Sequence, residues 1–126
     1  MRHIVFPTIL LVLLLTFCIL SAWIVSTTID QVNEYLNDAV QAHVREDEGM
    51  AARYIKLASD HWDQKRVLFG AVLKHDEMDQ VTTEFARLHS YASSEDQDDF
   101  LSNCKALQST LSHIREMEWP YLQNIL

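Results

Sequence analysis

The chain has 126 residues, with 18 acidic residues against 10 Lys and Arg, a formal charge of −8, and only two glycines, two prolines and two cysteines. That length leaves room for one modest domain once any targeting segment is set aside. The acidic balance repels phosphate backbones and anionic lipid headgroups, so nucleic acid is not an expected partner, and two cysteines, Cys18 and Cys104, make no disulfide framework.

The N-terminus carries the strongest signal. Ile4 to Val25 is a run of 22 residues without a charge, IVFPTILLVLLLTFCILSAWIV. As a helix it is about 33 Å long, enough for a hydrocarbon core of about 30 Å. Pro7 is expected in the first turn, where its missing N–H does little harm, and Trp23 lies at the far end, at headgroup level. A cleaved signal peptide is the rival reading. Its apolar region is normally shorter and ends in a small-x-small site, whereas cleavage after Ala22 would place the bulky Leu20 where a small residue is preferred. A lipoprotein signal fits poorly as well, because Phe17 precedes Cys18. The expected organisation is a short cytoplasmic N-terminus over residues 1–3, a transmembrane helix over 4–25 and an extracytoplasmic helical domain over 26–126. Orientation follows from Arg2 before the run and Asp30, Glu34 and Asp38 after it. The part beyond residue 26 holds all 18 acidic residues and nine of the ten basic ones, a formal charge of −9.

Beyond the anchor the periodicity is helical throughout. Ile29, Val32, Leu36, Ala39 or Val40, and His43 mark a first helix leading straight out of the membrane. The Arg45-Glu46-Asp47-Glu48-Gly49 cluster interrupts it, with Asp47 placed to cap the next helix. A second helix is predicted over 49–74, its apolar face drawn from Met50, Tyr54, Leu57, Ala58, His61, Trp62, Leu68, Phe69, Val72 and Leu73. Gly70 costs that helix about 1 kcal/mol relative to Ala unless a neighbour packs close. His75-Asp76 reads as a break, with Asp76 capping a third helix striped by Met78, Val81, Phe85, Leu88 and Ala92 or Tyr91. Ser94 and Gln97 suggest a capping box, and Glu95, Asp96, Asp98 and Asp99 crowd the next first turn, where the helix dipole favours negative charge. Phe100, Cys104, Leu107, Leu111, Ile114 and Met117 stripe a last helix that Pro120 is expected to end. The fold class is all-α: an N-terminal transmembrane helix continuing into an antiparallel bundle of about four helices.

These features occur in a recognisable order. Met1-Arg2-His3 precedes the apolar run, Trp62 is followed by His75-Asp76-Glu77-Met78-Asp79, Ala86-Arg87-Leu88 stands with Tyr91, and Leu122-Gln123-Asn124-Ile125-Leu126 closes the chain. In this the sequence resembles a family of small single-pass membrane proteins of Gram-positive bacteria, grouped as a domain of unknown function. It departs from that pattern at Glu48-Gly49-Met50, where an aromatic is expected. The resemblance implies an anchor and an extracytoplasmic helical domain, and it lends no catalytic residue.

Candidate chemistry is sparse. His75 and Asp79 share a helical face and are the nearest thing to a metal-ligand pair, although an acidic first turn produces the same residues for structural reasons. No metal and no cofactor is expected. His61 and Lys65 flank Trp62, but Asp60 and Asp63 point elsewhere on the wheel, and no phosphate loop, His-Glu-x-x-His or Gly-x-Ser-x-Gly occurs. Arg87 suits an ion pair with a facing helix. Trp62, Trp119, Tyr121 and Leu122 are the interaction candidates: Trp62 reads first as core, and the apolar C-terminal segment either packs back on the domain or meets a partner.

The expected function is therefore non-catalytic: a membrane-anchored structural or interaction module. Its partners would be the lipid bilayer, through residues 4–25, and another membrane or envelope protein, with a homo-oligomer as a further arrangement. The alternative is an accessory or sensor subunit responding to a ligand or metal. With only Met1 to His3 on the cytoplasmic side, such a sensor needs a partner to report its signal.

Overall fold

The computed structural model describes the backbone of residues 2–92 and 97–125. The described residues are helical, with no strand, in five elements: α1 Arg2–Val44, α2 Glu48–Gln64, α3 Arg66–Val72, α4 His75–Ala92 and α5 Gln97–Ile125. α1 packs against α2 and α5, α4 packs against α5 and α2, and the short α3 touches α1, α2 and α4.

α1 is a single 43-residue helix with two characters. From Arg2 to Leu20 nearly every side chain is exposed, including Ile4, Phe6, Leu13 and Phe17. From Ser21 onward the helix joins the core through Ala22, Val25, Ile29, Val32, Leu36, Ala39 and His43. Those positions alternate steps of three and four, the spacing that keeps one seam against a partner helix. Burial thus begins about one turn inside the span predicted for the bilayer. Pro7 lies within the helix, not in its first turn, so its ring removes the hydrogen bond to the His3 carbonyl.

The same three-and-four spacing governs the other long helices. α2 buries Ala51, Ile55, Ala58 and Trp62, α4 buries Met78, Val81, Phe85, Leu88 and Ala92, and α5 buries Phe100, Cys104, Leu107, Leu111 and Ile114. On α1, α4 and α5 these are the residues the periodicity marks. On α2 the face is turned by one residue: Met50, Tyr54 and His61 sit half-buried at its flank, Leu57 is exposed, and Ala51 and Ile55 take the centre.

The α1–α2 corner is built by local hydrogen bonds. The Asp47 N–H reaches the Ala42 carbonyl at 2.9 Å and the Glu46 N–H reaches the His43 carbonyl at 3.0 Å. These bonds satisfy carbonyls that the helix end leaves open. The geometry requires a left-handed residue, and Glu46 supplies it at φ 62°. Asp47 then caps α2 as predicted, its Oδ1 accepting from the Met50 N–H at 3.2 Å.

Three boundaries differ from expectation. The helix predicted over 49–74 is broken at Lys65, because the core phase that follows Trp62 falls on Lys65 and Arg66. A straight continuation would carry a cation into the apolar seam, where it has no partner. Instead the Lys65 N–H turns to the Trp62 carbonyl at 3.1 Å, Arg66 is exposed, and Phe69 folds back onto Trp62 with ring centroids 4.7 Å apart. His75 opens α4, so Asp76 lies within its first turn and not at the cap. α5 continues past Pro120 to Ile125, since one lost bond need not end a helix; it more often kinks it. The capping box expected at Ser94 lies outside the described residues.

Candidate functional site

The surface with most to say about function is the apolar half of α1. It is long and apolar enough to cross a membrane, and almost none of it is covered by the rest of the chain. Thr8 and Thr16 turn their hydroxyls back to the carbonyls of Ile4 and Val12, at 2.6 and 2.8 Å. Their polar groups are thus satisfied within the helix, as an apolar surround demands. Trp23 stands exposed where this half meets the packed half.

Just above that junction, α5 is tied to α1. Arg115 donates to the Asp30 carboxylate and to the Ser26 carbonyl, the latter at 3.1 Å. Further along the same pair, Gln108 Nε2 donates to Asn37 Oδ1 at 2.8 Å. Between α4 and α5 a polar knot interrupts the apolar seam: the Thr110 hydroxyl lies 3.0 Å from Glu84 Oε1, and Gln80 Nε2 approaches the same oxygen at 3.4 Å. At the opposite end, the buried His43 stacks on Phe100 with centroids 4.2 Å apart, and neither ring nitrogen has a hydrogen-bond partner.

The residues singled out from the sequence fall as follows. Trp62 is buried in the core, 1 % exposed, against Phe69, and its Nε1 makes no hydrogen bond. That placement makes it a packing residue of the core. α5 carries the backbone of Trp119, Tyr121 and Leu122, whose side chains lie outside the described ones. His75 and Asp79 occupy successive turns of α4, both exposed, and no group of three or more metal-ligand side chains gathers among the described residues. Arg87 is exposed. Among the described residues the ion pair between helices is made by Arg115, a residue whose half-buried position on α5 follows from its place beside Ile114.

Two half-open clefts among the described residues bear on function. One of about 200 Å³ lies between α2 and α4, lined by Trp62, Asp63, Arg66, Thr82, Phe85 and His89. The other, about 300 Å³, sits at the α1–α2 corner beside Arg45, Asp47, Met50 and Tyr54. The first also has Ser59 on its wall, and its Thr82 hydroxyl donates to the Met78 carbonyl at 3.0 Å. Burial pushes the Cys104 thiol up to about 12, so it lacks the thiolate on which cysteine nucleophilicity depends. Desolvation, with the Lys65 charge second, lowers the pKa of His61, which meets Tyr35 edge-on at 6.3 Å.

Residues 19–125 match a family model described as a domain of unknown function (DUF4363). No curated protein and no solved structure matches the chain.

Proposed function

The chain belongs to the DUF4363 family, and from that starting point we propose that it is a single-pass membrane protein whose helical domain is a non-catalytic structural or interaction module on the outer side. One observation carries the reading: the exposed apolar helix and the core-forming helix are the same uninterrupted α1. A cleaved leader is normally dispensable to the mature fold, whereas here burial already begins at Ser21 and Ala22. Cleavage after Ala22 would strip Ser21 and Ala22 from the end of that buried seam.

In this reading α1, α2, α4 and α5 form an antiparallel bundle, with α3 as a corner piece. The register of α1 against α5 supports it: from Gln108 to Arg115 the chain climbs seven residues, while its partners fall seven, from Asn37 to Asp30. Arg2 before the apolar run and Asp30, Glu34 and Asp38 after it favour a cytoplasmic N-terminus and an extracytoplasmic domain. The partner is another membrane or envelope protein, or a second copy of the chain, held at the same height above the bilayer. A sensor or accessory subunit is the second reading, favoured by the continuity of α1, which joins any shift in the domain rigidly to the bilayer.

The test uses the full chain in cells, with Ser109→Cys as an exposed reporter on α5 and the unsubstituted chain as background. The protein should stay with membranes through an alkaline wash, and the introduced thiol should react with an impermeant maleimide in intact cells. Release by the wash defeats the anchor, and protection until lysis reverses the orientation.

A further inference from the structure

α3 is an odd element for a packed domain. It is seven residues long, and its Val67 is 92 % exposed, more than any other large hydrophobic among the described residues. Gly70 and Ala71, three and four residues on, are exposed as well, and a Cβ built at Gly70 would meet nothing within 4 Å. The opposite side holds Phe69 and Leu73 in the core. An outward face of Val67, Gly70 and Ala71 is therefore apolar and open.

The flanks are cationic. Residues 64–75 contain no acidic residue, although Asp63 and Asp76 stand at the two ends; within them Lys65 and Arg66 precede the uncharged run 67–73 and Lys74 follows it. Arg66 and Lys74 are exposed and Lys65 is half-buried. An apolar stretch bracketed by long cationic side chains suits the boundary between acyl chains and headgroups. There the apolar side chains dip inward and the cations reach back to phosphate.

Its height fits that boundary. Tyr35 of α1 meets His61 of α2, and α2 runs on for three residues to Gln64 before the break. Counting on from that pair at equal rise in opposite directions sets Gln64, the end of α2, beside about residue 32 of α1, roughly 10 Å above Val25. α3, which follows, contacts α1, and α2 leads to it toward the end of the packed half that carries the exposed Trp23.

We propose that α3 is a second membrane contact, an interfacial foot that seats the base of the domain on the bilayer carrying its own anchor. Val67, Gly70 and Ala71 enter the headgroup layer, and Lys65, Arg66 and Lys74 bind the phosphates of anionic lipids around them. This inference rests on the reading of residues 4–25 as a membrane span. The break at Lys65 then has a role, since it turns this face out of the line of α2.

The experiment reconstitutes the full chain in vesicles of phosphatidylcholine mixed with phosphatidylglycerol, with a fluorophore on one introduced cysteine and bromine-labelled acyl chains as quencher. Cys18→Ala provides the background, and the buried Cys104 does not react in the folded protein. Leu13→Cys reports the span, Val67→Cys the foot, and Ala52→Cys, on the second turn of α2, the far end of the domain. The expected result is strong quenching at 13, about half as much or more at 67, and none at 52. Quenching at 13 without quenching at 67 overturns the foot and leaves the anchor standing, whereas no quenching at 13 overturns the anchor and the foot with it. Replacing Lys65, Arg66 and Lys74 together by Gln should lower quenching at 67 to its value in pure phosphatidylcholine. Unchanged quenching in that variant overturns the lipid-phosphate contact.

Discussion

Arg115 joins the Asp30 carboxylate and the Ser26 carbonyl of α1 through a single guanidinium, so α5 is fixed, ten residues before its end, to the turn of α1 that follows the apolar run. Asp30 is mostly exposed and Arg115 about one-third so, which limits an ion pair to about 0–1 kcal/mol. The carbonyl contact adds a charge-assisted bond worth about 1 kcal/mol or somewhat more. Arg115→Ala in the full chain in detergent should lower the denaturation midpoint by an amount equivalent to about 1–2 kcal/mol, with part of the loss screened at high salt. A loss above about 3 kcal/mol would place Arg115 in the core's service and not at its edge.

Trp62 gives the largest expected change. It is fully buried against Phe69, and truncating such a residue costs about 3–5 kcal/mol in lost transfer energy and cavity. For a domain of ordinary stability, about 5–15 kcal/mol, that is severe. Trp62→Phe should be much milder, because it also removes an indole N–H that has no partner and whose burial is costly. Chemical denaturation of both variants, followed by circular dichroism, checks the order.

At Glu46 the prediction runs the other way. A non-glycine residue in the left-handed region is strained by about 1 kcal/mol, and the hydrogen bonds that close the α1–α2 corner hold Glu46 there at φ 62°. Glu46→Gly should therefore raise the thermal midpoint, by the equivalent of about 0.5–1 kcal/mol. Glu46→Val should lower it.

Acidification should weaken the fold through His61. Its pKa is lowered in the folded state, by burial first and by Lys65 second. A lowered pKa means that the folded state binds the proton less readily than the unfolded chain. The stabilising contribution is complete above the ordinary imidazole value of about 6.5 and is lost as pH falls through the lower folded value. Melting curves between about pH 7.5 and 5 should show a decline that His61→Gln reduces. An equal decline in that variant would assign the effect to other groups.

The sequence disclosed the seams of α1, α4 and α5 because each alternates large apolar residues with charged ones at helical spacing, with little to confuse the phase. α2 was harder to read. Ala51 and Ala58 carry little hydrophobic weight, while the larger Tyr54, Leu57 and His61 suggest a face one residue away. The centre, with Ile55, emerges only once a neighbouring helix fills the space. The break at Lys65 was visible in principle as a cation at a core phase. No local breaker marks it, because neither Gly nor Pro stands at the break, and helix propensity alone argues for continuing. Arg115 escaped notice because its partners lie 85 and 89 residues away, a pairing that no local pattern encodes.

Between Thr8 and Val44 there is no Gly and no Pro, so α1 has none of the residues at which helices usually swivel. In the proposed membrane-spanning reading, α1 would be a lever whose fulcrum is the membrane surface. From Ser26 to Val44 the outer arm is about 27 Å long, so a tilt of about 20° moves its tip sideways by about 9 Å. Thinning or thickening of the lipid would thereby swing His43, Asp47 and the acidic start of α5 across the membrane plane. The chain would convert bilayer thickness into the position of its outermost surface.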